Sequence, residues 1–197
     1  MPSIRIRLVK GNYYHIYNKC IENSLLFCEE GNFLYFLTKM KKYLLVSAEV
    51  LAYCLMPDHY HFIVRVTSES FSRSMQKLAL SYVISYNNMY KRKGHLFLGP
   101  FRRKQIGDSP YLLHLSRYIH LNPVSAKLVK KAEDWKFSSY REYIGYMRPD
   151  FINSNTILNL LHENVKSSLD QKQRDYQEFV EDWDCRYMKF KKGTKSF

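Results

Sequence analysis

The 197-residue chain lacks the features that mark secreted, zinc-finger or membrane proteins. Its four cysteines, Cys20, Cys28, Cys54 and Cys185, form no CxxC pair and no zinc spacing. That excludes a disulfide scaffold and a thiolate zinc module, and it points to a reduced, intracellular protein. No apolar run approaches the length of a membrane span, and the opening MPSIRIRLVK has no apolar signal core. A soluble, cytoplasmic protein is expected. Internal repeats and low-complexity linkers are also missing. Acids are scarce, with 18 Asp and Glu against 31 Lys and Arg, for a net charge of +13. Such a surplus favours a polyanionic partner, either nucleic acid or an acidic membrane surface. The scarcity is uneven: residues 1–149 carry 23 bases and ten acids, whereas residues 150–190 carry five bases and eight acids. Any nucleic-acid site is therefore expected in the first three quarters of the chain.

What is present is apolar and aromatic, at 46% and 16% of residues, which excludes a disordered basic tail. The length suits one sizeable domain with an extension. Tyr13 to Cys20 alternates as a strand does. Phe33, Phe36, Leu37, Met40 and Leu44 follow helical spacing. Val50 to Met56 is a continuous apolar run, as a central strand covered on both faces would have. Met56-Pro57-Asp58 turns into a second strand, His59 to Val66. Phe71, Met75, Leu78, Tyr82, Tyr86 and Met89 give the strongest helix signal, which stops at Lys91-Arg92-Lys93-Gly94. A basic loop with hairpin character runs to Ile106, and a helix follows Asp108-Ser109-Pro110 and ends at Asn122-Pro123. This order predicts an α+β domain over residues 1–149, a ferredoxin-like antiparallel sheet with helices packed on it. Residues 150–197 predict a helical extension packed on that domain, from Ile157, Leu160 and Leu161, then Leu169, Tyr176, Phe179, Val180, Trp183 and Tyr187.

Three constellations carry chemistry. His59-Tyr60-His61 lies on a strand, so both imidazoles share a face and can address one ion. A pair of hydrogen-bonded surface histidines is the plain alternative. On the later helix His114, Tyr118 and Asn122 lie four apart and share a face. There the Asn oxygen can ligate a hard cation beside a phenol that attacks phosphorus. The alternative is that Tyr118 is one of 17 tyrosines on an amphipathic edge. Lys91 to Lys104, KRKGHLFLGPFRRK, holds six cations and no acid, with His95, Phe97 and Phe101 interleaved. Lys91, Arg92, Lys93, Arg102, Arg103 and Lys104 can track phosphates while aromatics stack on bases. A solvated helix end with core-facing phenylalanines has the same composition.

Together "EVLAYCLMPDHYHFIVRV", "GHLF", "YLLHLSRYIHLNPVSAKLV" and "WKFSSYREYIG" resemble the REP-associated tyrosine transposases. These are single-tyrosine transposases of the HUH nuclease superfamily, akin to the insertion sequence 200-like enzymes. The resemblance runs from about Gly11 to Gly145. It implies a ferredoxin-like core, a divalent metal ion (Mg²⁺ or Mn²⁺) on His59, His61 and Asn122, and Tyr118 as the nucleophile. It further implies a nucleoid-associated enzyme that cuts single-stranded DNA beside hairpins of palindromic repeats through a 5′-phosphotyrosine, acting as monomer or homodimer. One departure is Pro100, where the family carries an Arg; Arg102 and Arg103 stand close by. Two other classes stay open: a non-catalytic nucleic-acid-binding module, and a metal hydrolase whose histidines activate water.

Overall fold

Alternation along the first strand sorts its side chains between two faces. In β1 (Tyr13–Lys19), Tyr14 and Ile16 point to one side of the sheet, and Tyr13, His15, Tyr17 and Lys19 to the other. The computed structural model describes residues 7–22, 24–162 and 166–182. Expectations placed on Trp183, Cys185 and Tyr187 lie outside them. After β1 come α1 (Glu30–Leu44), β2 (Ala48–Met56), β3 (His59–Val66), α2 (Phe71–Met89), β4 (Arg102–Ile106) and α3 (Ser109–Ser125). Among the described residues α4 (Tyr140–Tyr143), α5 (Asn155–Leu158) and α6 (Leu169–Glu181) follow, with short 3-10 turns at Ala132–Asp134 and Asn159–His162. The sheet order is β2-β3-β1-β4 with every neighbour antiparallel. A β-α-β-β-α-β chain threaded in that order is ferredoxin-like, so the α+β class read from periodicity is borne out.

Helices α1 and α2 cover one face of the sheet. Phe36 meets Tyr60 and Phe62 at ring distances of 5.4 and 6.3 Å, and Tyr82 meets Phe36 edge-on at 4.9 Å. Tyr82 donates to the Leu26 carbonyl and Tyr86 to that of Leu25, so these two buried phenols have partners. Helix α3 lies against β2 and β3, with Leu112, Leu115 and Ile119 buried.

Three details differ from the reading of the sequence. The apolar run of β2 is not central among the four strands but at their edge. Its outer edge is sealed by later chain. The Leu55 amide donates to Phe137 O at 2.9 Å, Ser139 N to Tyr53 O at 3.0 Å, and Asn153 N to Val50 O at 2.8 Å. Burial thus comes from segments that one strand's periodicity does not encode. Second, the basic stretch closes no hairpin; Arg102–Ile106 pairs with β1. Third, α3 continues through Pro123 to Ser125. Pro123 has no N–H for the Ile119 carbonyl, and the Asn122 side-chain amide supplies a long donor to it at 3.5 Å.

Candidate active site

The face of the sheet opposite α1 and α2 brings together His59, His61 and Tyr118. Along β3, His59 and His61 alternate with the buried Tyr60, Phe62, Val64 and Val66. The two imidazoles stand edge to face, 5.0 Å between centroids. His59 Nδ1 lies 2.7 Å from Asp58 Oδ1. That bond holds the Asp58 carboxyl below its usual range, against the opposing effect of burial. His61 is 8% exposed, and its Nδ1 lies 2.8 Å from Nε2 of His15 on the neighbouring strand.

Helix α3 brings the phenol to this face. Asp108 caps it by accepting the Tyr111 amide at 2.7 Å, with Pro110 in the first turn. The Tyr118 ring meets His61 edge-on at 6.0 Å. One turn on, Asn122 donates its side-chain nitrogen to Tyr118 O at 2.9 Å as well as to Ile119 O. Both partners are acceptors, so the nitrogen is the end turned to the helix and the carbonyl oxygen is turned away from it. His59, His61, Tyr118 and Asn122 are therefore arranged by one strand and one helix of the same chain.

These donors, two imidazoles and an amide oxygen, suit a divalent cation that accepts nitrogen and oxygen together. Among the described residues no group of three or more His, Cys, Asp or Glu side chains is placed to hold a metal. The candidate set thus depends on the amide of Asn122 as its third member. The Asp58–His59 bond fits such a role, because a ligating imidazole commonly gives its other N–H to a carboxylate.

The basic stretch is divided by the strand that it enters. Arg102 and Lys104 pair opposite Tyr17 and His15 and so share the histidine face. Arg103 pairs opposite Ile16, on the other face, and its guanidinium lies 5.7 Å from the Phe101 ring centre. Lys91, Arg92 and Lys93 sit beyond α2, where Lys91 adopts a left-handed φ of 52° and Arg92 stacks over Tyr86. His95 is exposed in the same loop. Three neighbours of the site went unmarked in the sequence: His15, Tyr17 and Lys19. Lys19 pairs directly opposite His59, and Tyr17 opposite His61. The two-residue spacing within β1 already placed all three on one face; what it could not say was which strand β1 would pair with.

On its other flank α3 is held by the C-terminal helix. Tyr176 of α6 donates to Ser116 Oγ at 2.8 Å, so its oxygen accepts from His120 Nδ1 at 2.8 Å. His120 Nε2 then accepts from Ser139 Oγ at 2.8 Å. Burial pulls the His120 pKa down to about 3, so the ring is neutral at ordinary pH. Arg117 donates to Phe179 O at 2.9 Å and lies 4.1 Å from the Phe179 ring centre. His114, one turn before Tyr118, accepts from Arg117 at 3.0 Å and rests against Phe179 of α6. Burial, with Arg117 beside it, lowers the His114 pKa.

A four-stranded ferredoxin-like sheet with two histidines on a strand, facing a tyrosine on a helix, defines the class of the molecule. The sequence model of the family described as Transposase IS200 like matches residues 11–122, and the chain belongs to that family of transposases. Among solved structures, the chain is similar to a REP-associated tyrosine transposase bound to a REP hairpin. The TM-score is 0.62 at 18% identity, covering 78% of this chain and 94% of that one. That likeness is one of fold. A bacterial tRNA(His) guanylyltransferase-like protein in complex with GTP also aligns, at a TM-score of 0.40 and 12% identity, over 61% of this chain and 68% of that one. The comparison with curated proteins returned no match. Among the described residues no helix is long and apolar enough to cross a membrane.

Proposed function

We propose that this transposase is a single-strand DNA endonuclease and strand transferase that cuts beside short palindromic hairpins, with Tyr118 as its nucleophile. The observation that carries the reading is the contact of the Tyr118 ring with His61, with Asn122 one turn further along the same helix. His59, His61 and Asn122 would hold Mg²⁺ or Mn²⁺, which when bound supplies Lewis-acid polarisation of a phosphodiester. The chain's own residues do the rest. The Tyr118 oxygen attacks phosphorus in line, the phenolic proton leaves to solvent, and the P–O3′ bond breaks to release a 3′-hydroxyl. A 5′-phosphotyrosine remains, and attack by a second 3′-hydroxyl reverses the step and joins new ends. Bond energy is conserved, so no nucleotide cofactor is required.

Lys19, Arg102 and Lys104 share the histidine face and supply positive charge along a backbone that reaches it. The solved relative was captured on a REP hairpin, which supports a hairpin-bearing single strand as the partner here. Tyr118 and His61 meet within one chain, which supports a site built in a monomer. The test is an adduct. Incubation with labelled hairpin-bearing single-stranded DNA and Mn²⁺ is expected to give a protein–DNA species that survives a denaturing gel. Label on the 3′ side of the cut stays with the protein. Tyr118→Phe removes one oxygen, so DNA binding persists while cleavage and adduct vanish. A hydrolase would still cut in the Phe variant, a binding module would cut in neither, and an adduct in the Phe variant would make another tyrosine the nucleophile.

A further inference from the structure

The candidate ligands His59 and His61 both have Nδ1 engaged, but by different partners. His59 has the Asp58 carboxylate, whereas His61 has a neighbouring imidazole, that of His15. His15 is 5% exposed on β1, and its ring stacks on that of His61 at 5.0 Å and 25°. Tyr17 closes the stack, 4.8 Å from His15 and 6.0 Å from His61. An apolar residue would fill this position without placing a polar atom 2.8 Å from a candidate ligand.

We propose that His15 is a positioning residue: it holds the His61 imidazole in the tautomer and orientation that present Nε2 to a divalent cation. The inference rests on the metal reading given above. A neutral imidazole carries one proton. When Nε2 offers its lone pair to a cation, that proton is on Nδ1. The 2.8 Å bond then runs from His61 Nδ1–H to His15 Nε2, and His15 carries its own proton on Nδ1. In the reverse arrangement His15 donates, the His61 proton moves to Nε2, and no lone pair faces the ion. His15 thus does for His61 what Asp58 does for His59, without adding a negative charge where a phosphodiester must approach. Hydrogen-bond partners of this kind commonly change metal affinity by about 10–100-fold.

The experiment compares Mn²⁺ binding to the full chain without DNA, by calorimetry, for the wild type, His15→Leu, His15→Gln and the double variant His59→Ala/His61→Ala. His15→Leu is expected to weaken Mn²⁺ by about 10–100-fold. His15→Gln should recover most of that loss, because its Oε1 can accept where Nε2 did; a merely volume-filling role would not separate the two. Wild-type affinity in His15→Leu, with binding lost in the His59/His61 variant, overturns the role of His15 alone. Wild-type affinity in the His59/His61 variant overturns the metal reading and this inference together. Nitrogen-15 imidazole spectra of the wild type give an answer that no misfolded variant can obscure. Protonation of His61 at Nδ1 supports the proposal, and protonation at Nε2 overturns it.

Discussion

Helix α3 has a histidine–tyrosine pair on each flank, and the two pairs are opposites in environment. Toward the sheet, Tyr118 meets His61, beside the partly exposed His59 and the cations Lys19, Arg102 and Lys104. Toward α6, Tyr176 meets His120, fully buried, with each ring nitrogen bonded to a hydroxyl. The residue types are the same. What differs is whether charge gathers around the pair. A saturated, dry pair rigidifies a helix; a pair beside cations can meet a phosphate. One helix therefore carries a fixing side and a reacting side.

The largest effect separates those sides. His59→Ala/His61→Ala is expected to abolish Mn²⁺-dependent cleavage of a hairpin-bearing oligonucleotide while unfolding stays cooperative, at a cost of about 1–3 kcal/mol because His61 is buried and bonded to His15. Cleavage at the wild-type rate would remove metal from the mechanism.

The next effect belongs to the fixing side and appears in stability. His120→Gln disrupts a buried network, and such a loss costs about 1–3 kcal/mol near neutral pH. The cost depends on pH in a defined sense. His120 has a folded pKa of about 3, below the unfolded value of about 6.5. A group that is neutral in the fold contributes fully above about pH 6.5, and its contribution is lost as pH falls toward about 3. The wild type's advantage over His120→Gln should thus shrink below pH 6.5, by at most about 1.4 kcal/mol per pH unit. Glu142 works in the opposite sense: burial lifts its pKa from 4.5 to about 7, so it favours the fold as pH drops through that window. Present in both proteins, it cancels in the difference. Denaturant titrations at pH 8, 6 and 5 read this directly. A gap that ignores pH would mean that His120 is not held neutral, and the contrast between the flanks would weaken. Folded His120→Gln is expected to keep its DNA affinity.

How far the sequence reached follows from the same contrast. His59 and His61 were legible because two-residue spacing on a strand fixes a shared face. Tyr118 and Asn122 were legible because four-residue spacing does so on a helix. His15, Tyr17 and Lys19 obey the same rule on β1, yet their meaning depends on β1 pairing with β3, a contact between residues about 46 positions apart. His120 was silent for a related reason. Its partners, Ser139 and Tyr176, come from segments beyond the helix, and no local pattern announces a buried polar network. The burial of β2 misled for that reason too, since residues 137–139 and 153 seal its edge. Proline usually ends a helix, whereas here the preceding Asn gives a donor to the freed carbonyl.

The smallest effect tests whether the reacting side extends from α3 across the sheet. Composition presents Arg102 and Arg103 as one cationic pair, and the register of β4 separates them. Arg102 lies opposite Tyr17 on the histidine face; Arg103 lies opposite Ile16, with its guanidinium by Phe101. A cation that neutralises one phosphate of a single strand adds about 0.7 to the slope of log K against log salt. If the strand runs over the histidine face, Arg102→Ala should make the slope shallower by about 0.7. Arg103→Ala should leave the slope unchanged, and the double variant should match Arg102→Ala. Measuring hairpin-DNA affinity by anisotropy from low to moderate salt separates these cases. Equal changes in both single variants would mean that phosphates reach the two faces alike, as at a strand edge rather than across a face. A change in Arg103→Ala alone would put the DNA on the side of the sheet that α1 and α2 cover, away from Tyr118.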